Sequence, residues 1–262
     1  MTNNTELLTR HVAPVAVVTG ASSGIGRETA RQLSQQGWTV YAVARRTERL
    51  EELAAATGAL PHPLDVTDAR AVGELAERVI QEQGRVDALV NVSGGAIGTD
   101  AVADGSVRDW TAMYQLNVIG TLNMVQAFLP SLRANGEGSI LNLTSTAAEA
   151  GYEGGGGYNA AKSGQRALTQ ALRLEEAENN IRVIELSPGL VHTEEFSLNR
   201  LGGDQQAADN VYRGVDKPLT AEEVARIAVF SLTLPHHVNL DQMTVRPVAQ
   251  PAQHKLIRTT DA

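Results

Sequence analysis

The sequence contains no cysteine. That absence excludes a disulfide scaffold, an iron–sulfur cluster and thiol catalysis. Lysine is scarce, with only Lys162, Lys217 and Lys255, and the 22 basic residues are scattered among 30 acidic ones to leave a net charge of −8. Nucleic acid and anionic membranes are therefore not expected as partners. No apolar run approaches the roughly 18 residues of a membrane span. The polar start, Met1 to Pro14, carries no apolar signal region. Six histidines show no ligand spacing, and the adjacent His236 and His237 diverge, so no metal site is expected. What remains is a cytoplasmic enzyme or binding protein. Its 262 residues suffice for a real core without disulfide or metal staples.

Residues 1–12 read as a loose polar lead-in. Val15-Ala16-Val17-Val18 then forms a short apolar run suited to a buried parallel strand. A Gly/Ser turn leads into a helix from about 25 to 36, and Trp38 to Ala44 reads as a second strand. A helix near 47–57, a brief strand at 60–64, an amphipathic helix at 68–83 and a strand at 86–91 follow. A long helix over 107–133 stops at Asn135-Gly136, a strand spans 139–144, a helix 158–178 and a strand 181–186. Strand and helix alternate six times, which predicts an α/β protein with a parallel sheet covered on both faces. The polar stretch 190–218, with Gly202-Gly203, reads as a loop, either a lid over a site or a solvated surface excursion.

Thr19-Gly20-Ala21-Ser22-Ser23-Gly24-Ile25-Gly26 lies between the first strand and the first helix. Gly20 can make the sharp turn, Gly24 lets backbone approach a pyrophosphate, and Gly26 lets helix and strand pack closely. The helix N-terminus offers free N–H groups and partial positive charge to that anion. At the end of the second strand an acidic residue would select the ribose hydroxyl of NAD. This chain has Arg45 and Arg46 instead. An arginine can pair bidentately with a 2′-phosphate, with Ser22 adding a hydroxyl, so NADP is expected. The alternative is that the two arginines only start a solvated helix with Glu48, Arg49, Glu51 and Glu52.

Tyr158 and Lys162 are four residues apart at the start of a predicted helix, on one face. An ammonium there would lower the tyrosine pKa toward working pH and make Tyr158 a general acid/base for a carbonyl–alcohol pair. Ser145 ends the preceding strand, at the sheet edge where α/β proteins bind ligands, and its hydroxyl could donate to a developing alkoxide. Thr144 and Thr146 are equal candidates on chemistry alone. Asn117 is a poor helix former inside an apolar helix, and its amide needs partners, structural or a relayed water.

These residues together resemble the short-chain dehydrogenase/reductase family over nearly the whole chain. Thr19 to Gly26 resembles the family's cofactor fingerprint, and Asp65-Val66 its adenine-contacting segment. Asn91-Val92-Ser93-Gly94 stands where the family has Asn-Asn-Ala-Gly, so Val92 departs from the pattern and Ser93 adds a hydroxyl near the expected ribose. Asn117, Ser145, Tyr158 and Lys162 resemble the catalytic tetrad, with Asn117 supporting a water relay and Lys162 also binding ribose. Pro188-Gly189-Leu190-Val191-His192-Thr193 resembles the stretch that holds the nicotinamide carboxamide. Glu194 to Asp204 and Leu234 to Val248 are similar to NADP-dependent enzymes oxidising serine and other 3-hydroxy acids and to their carbonyl-reducing relatives.

The resemblance implies a single doubly wound Rossmann domain over 1–262, with 190–218 as a substrate lid. It implies NADP(H)-dependent hydride transfer between a small carbonyl compound and its alcohol. A homotetramer or dimer is implied through the two long helices, with Met124, Phe128 and Leu172 as apolar positions permitting it. Epimerisation or dehydration on the same fold, or a non-catalytic NADP-binding regulator, are the rival readings. Glu149, Glu153, Glu194 and Glu195 suggest an acidic mouth, and His192, Arg200 and Arg213 are the groups that could receive a substrate carboxylate.

Overall fold

The computed structural model describes residues 13–259, so the lead-in expected at 1–12 lies outside the described residues. In chain order these give β1 (Val15–Thr19), α1 (Gly24–Gln35), β2 (Thr39–Ala44), α2 (Thr47–Thr57), β3 (Leu60–Pro63), α3 (Ala69–Gln83) and β4 (Ala88–Asn91). There follow α4 (Val107–Tyr114), α5 (Gly120–Asn135), β5 (Ser139–Leu143), α6 (Gly156–Glu176), β6 (Arg182–Pro188), β7 (Val191–His192), α7 (Phe196–Arg200), α8 (Gln205–Tyr212), β8 (Leu219–Thr220), α9 (Ala221–Thr233) and β9 (Gln242–Val245).

Seven strands form one parallel sheet in the order β3-β2-β1-β4-β5-β6-β9. Side chains alternate across it. Ala16 and Val18 of β1 join Leu33, Leu50 and Val224 under α1, α2 and α9. Val15 and Val17 join Leu75, Val79, Phe128 and Leu172 under α3, α5 and α6. Burial on both faces explains why the strands read as unbroken apolar runs. The winding reverses between β1 and β4, and ligands of such sheets sit at the carboxyl edge of that reversal. The glycine turn, Ser93 and Ser145 follow β1, β4 and β5 there.

Four expectations change. The alternation runs one strand further than six, because β9 is a short, half-exposed edge strand. The 190–218 stretch is not a plain loop: β7, α7 and α8 lie in it, and β7 pairs with β8. The helix expected over 107–133 is interrupted by a π turn at Gln115–Ile119. Met124, Phe128 and Leu172 are core residues, 1%, 0% and 6% exposed, so they offer nothing to a partner. The exposed apolar side chains on that side are Val107 and Tyr114 of α4 and Leu174 of α6. Gly136 closes α5 in the left-handed conformation, as the sequence predicts. Among the described residues no helix is long and apolar enough to cross a membrane.

Candidate active site

The carboxyl edge of the sheet opens into a cavity of about 700 Å³. Its floor begins at the glycine turn. Gly20 is left-handed (φ 67°), and a Cβ on Gly26 would lie 2.3 Å from the Gly20 carbonyl oxygen, so no side chain fits there. Ser23 precedes α1 without capping it, and no acidic residue lies in the first turn. The first N–H groups of α1 and its positive dipole end therefore remain available to an anion. Ser22, Ser23, Gly24 and Ile25 line this wall, with Leu64, Asp65 and Val66 beyond β3.

Arg46 precedes α2 and turns into the cavity, where its Nη2 donates to Ser22 Oγ at 2.9 Å. Both terminal nitrogens also donate to the Glu195 carboxylate, which Arg46 holds below the ordinary carboxylate range, with a Ser23 hydrogen bond adding to the effect. The Glu195 carboxylate thus rests on Arg46, beside Ser22. Arg46 is bonded across the cavity to Ser22 and Glu195 while its side chain stays 41% exposed. Arg45 is exposed at the rim.

Tyr158 and Lys162 stand on the first turns of α6, almost fully buried, with the Lys162 nitrogen 5.9 Å from the Tyr158 ring centre. Ser145 favours the ionised form of the Tyr158 hydroxyl and accepts from Ala147 N at 3.1 Å. Lys162 Nζ donates to Leu143 O (3.0 Å) and to Gln165 Oε1 (2.8 Å). Burial dominates both titrations. It pushes Lys162 down to about 7 and raises the Tyr158 hydroxyl above its ordinary value, opposed by Ser145 and the Arg200 charge. Against the expectation that Lys162 draws the Tyr158 pKa down, burial is the largest influence on Tyr158, and the charge that opposes it is that of Arg200.

Arg200 of α7 covers the other side of Tyr158, its guanidinium carbon 5.9 Å from the ring centre. It donates to Tyr152 Oη, Gly154 O and Gly98 O at 3.0, 3.0 and 3.1 Å, and enters no ion pair among the described residues. Phe196 packs on Tyr158 with ring centres 5.8 Å apart. Glu149 pairs with Arg246 and Glu194 with Arg49, so the mouth is less acidic than its composition suggests. His192 is exposed, stacks on Tyr212 at 4.3 Å and lies outside the cavity wall.

Ser93, Gly94, Pro188, Gly189, Val191 and Thr193 line the cavity as expected. Asn91 does not. Its amide is engaged inside the sheet, donating to Asn142 Oδ1 at 2.9 Å. Asn117 also lies behind the wall, in the π turn. Its Nδ2 donates to Met113 O and Gly95 O at 2.7 and 2.9 Å, and its Oδ1 accepts from Gly95 N. This side chain braces the Gly95 backbone with both amide protons and one lone pair of its oxygen engaged by protein partners. Val92 loses little by lacking an amide, since the Thr19 hydroxyl accepts from both Val92 N and Ser93 N at 3.0 Å. Sequence reasoning missed Gln250 and Gln253, which reach the cavity from the chain's end. Gln250 accepts from Leu190 N at 2.7 Å and Gln253 accepts from the Thr146 hydroxyl. Single glutamines in a polar tail carry no local signal.

The short chain dehydrogenase profile matches residues 14–200. The chain is 50% identical to an uncharacterised oxidoreductase of Mycobacterium tuberculosis over 233 residues, 89% of this chain and 90% of that one. It is 37% identical to a serine 3-dehydrogenase of Agrobacterium fabrum over 236 residues, 89% and 94% of the two chains. A solved closed form of serine dehydrogenase complexed with NADP+ superposes with a TM-score of 0.88 at 35% identity, covering 94% of this chain and all of that one.

Proposed function

This chain belongs to the short-chain dehydrogenase family, and from that premise we propose that it interconverts a small carbonyl compound and its alcohol with NADP(H), using Tyr158 as general acid/base. The observation that carries the reading is the convergence of Tyr158, Ser145 and Lys162 on one cavity whose far wall is the glycine turn. Bound there, the nicotinamide supplies or accepts the hydride. The turn from Gly20 to Gly26 and the α1 N-terminus would hold the pyrophosphate. Arg46 with Ser22 would take the 2′-phosphate, and Arg45, Asp65 and Val66 would border the adenine. Ser93, Gly94 and Lys162 would hold ribose, and Pro188, Gly189, Val191 and Thr193 the carboxamide. The serine dehydrogenase neighbour that holds NADP+ supports this choice.

Ser145 orients the substrate oxygen and Tyr158 exchanges the proton with it. Since burial keeps the Tyr158 hydroxyl protonated, the resting site is poised as an acid, the form that carbonyl reduction requires. Residues 190–218 act as a lid, because α7 brings both Arg200 and Phe196 onto Tyr158. The substrate is a small acid. Arg200 lies against the Tyr158 ring without a carboxylate partner among the described residues, and a cation so placed suits a substrate carboxylate. The serine-acting relative supports this class. Self-association across Val107, Tyr114 and Leu174, and residence in the cytoplasm, belong to the same reading.

The test is NADPH oxidation against aldehydes, ketones and 3-oxo acids, each acid paired with its neutral amide. Wild-type turnover that favours the acids and collapses in Tyr158→Phe is expected. Undiminished turnover in that variant would overturn the role of Tyr158. Equal kcat/KM for acids and amides would overturn the role of Arg200.

A further inference from the structure

Lys162 is held by a side chain that the catalytic reading does not use. Gln165 lies one turn further along α6 and is 0% exposed. Its Oε1 accepts from Lys162 Nζ at 2.8 Å, and its Nε2 donates to Thr121 Oγ1 at 3.0 Å. Thr121 in turn donates to the Asn117 main-chain oxygen at 2.8 Å. The amide orientation follows from chemistry: an ammonium only donates, so the oxygen must face it. Thr169 secures the same turn by donating to Gln165 O at 2.8 Å, and it accepts from Asn142 Nδ2 at 2.9 Å. A continuous buried chain of hydrogen bonds thus runs from Lys162 to the backbone of the π turn, all of it in protein atoms.

The surroundings of Lys162 make this acceptor matter. Leu143 of β5 gives one carbonyl, Tyr158 of α6 presents its ring, and Asn117 of the π turn directs its side chain elsewhere. The Arg200 guanidinium also lies against the Tyr158 ring, and no ion pair reaches Lys162 among the described residues. Two neutral oxygens therefore take two of the ammonium protons and leave the third for the cavity. Without Gln165 only one would remain.

We propose that Gln165 is a positioning residue that fixes the Lys162 rotamer and keeps its nitrogen protonated while it faces the cofactor ribose. This rests on the role given to Lys162 above. A buried ammonium that loses one of two acceptors becomes easier to deprotonate, and one that gains an anionic acceptor becomes harder.

The scarcity of lysine makes the test direct. Full-length protein grown on [ε-13C]lysine gives resonances for Lys162, Lys217 and Lys255 only, and Lys162→Met assigns the first. Wild-type Lys162 should titrate near its depressed value of about 7. In Gln165→Leu the midpoint should fall by about one pH unit, and in Gln165→Glu it should rise by at least about that much, with the other lysines unmoved. The alkaline limb of kcat/KM for NADPH-dependent reduction should move in the same directions. A Lys162 midpoint that stays put in either folded variant overturns the proposal, even if activity falls, since that fall would then be structural. Should Gln165→Leu not fold, the nearly isosteric Gln165→Glu decides alone. The titration needs no substrate, so it is independent of whether Tyr158→Phe confirms the catalytic reading.

Discussion

Lys162 and Arg182 are both buried cations that hydrogen-bond to this sheet, 2% and 7% exposed, and neither forms an ion pair among the described residues. They sit at opposite ends of the strands. Arg182 opens β6 at the amino edge and donates to Ser139 Oγ, Leu232 O and Leu234 O within 3.1 Å, with the Ser231 and Val238 carbonyls at 3.5 Å. The Ser231, Leu232 and Leu234 carbonyls are orphan acceptors at the end of α9, so the guanidinium serves as that helix's cap. Lys162, at the carboxyl edge, has two acceptors and a depressed pKa of about 7. One cation is saturated with partners and holds structure. The other is left short of partners, which costs stability and leaves a proton available near neutrality.

The strongest way to break this contrast is to remove each charge. Lys162→Met should reduce NADPH-dependent turnover about a thousandfold while the thermal midpoint holds or rises. Arg182→Met should do the opposite. Stranding several carbonyls should cost about 3 kcal/mol, or roughly 6–12 °C in Tm, with kcat retained in the folded fraction. If both variants lost activity and stability together, the division between the two edges would not stand.

A pH series sharpens the same contrast. The folded pKa of Lys162 lies below its unfolded value of 10.5, so between about 7 and 10.5 the unfolded chain binds the extra proton. Stability from this group therefore rises with pH across that window, by up to about 1.4 kcal/mol per unit, and is lost as pH falls through 7. Denaturant titrations at pH 7, 8 and 9 should give a steeper rise for wild type than for Lys162→Met. Parallel slopes would place the Lys162 titration elsewhere.

A third cation extends the comparison to the surface. Arg46 is half exposed and already paired with Glu195. Arg46→Ala should weaken NADPH binding about tenfold relative to NADH, measured by fluorescence titration of both cofactors. The smallest effect is at the other end of the helix that Arg182 caps. Thr220 and Glu223 form a reciprocal capping box on α9, so Thr220→Ala should cost about 1 kcal/mol, a shift of 2–4 °C seen by calorimetry.

The contrast between the two cations also marks what the sequence made legible. Strand–helix alternation up to Leu186 and the glycine turn were readable because both are local patterns in adjacent residues. Tyr158 and Lys162 were readable because helical spacing puts them on one face. Arg182 and Gln165 were not, since a polar residue in a buried strand or helix gives no hint of acceptors that lie 43 or more residues away. The core positions of Met124, Phe128 and Leu172 were misjudged for a related reason. An amphipathic face identifies an apolar stripe without telling which surface covers it. Burial also settled the Tyr158 titration, and burial is a property of the assembled fold.

The π turn at Gln115–Ile119 is one residue more than a regular helix would use over that span. The wide turn absorbs that residue, so removing one there would let the hydrogen-bond ladder close as an ordinary α-helix with the two flanking segments in nearly their present relation. What would be lost is the bulge that carries Asn117, whose side chain holds the Gly95 backbone at the cavity wall. Evolution can exchange side chains in this stretch at modest cost, but a change in its length is a change in the active site. In homologous chains, an insertion or deletion between the two halves of this helix is the mark by which a different pocket could be found.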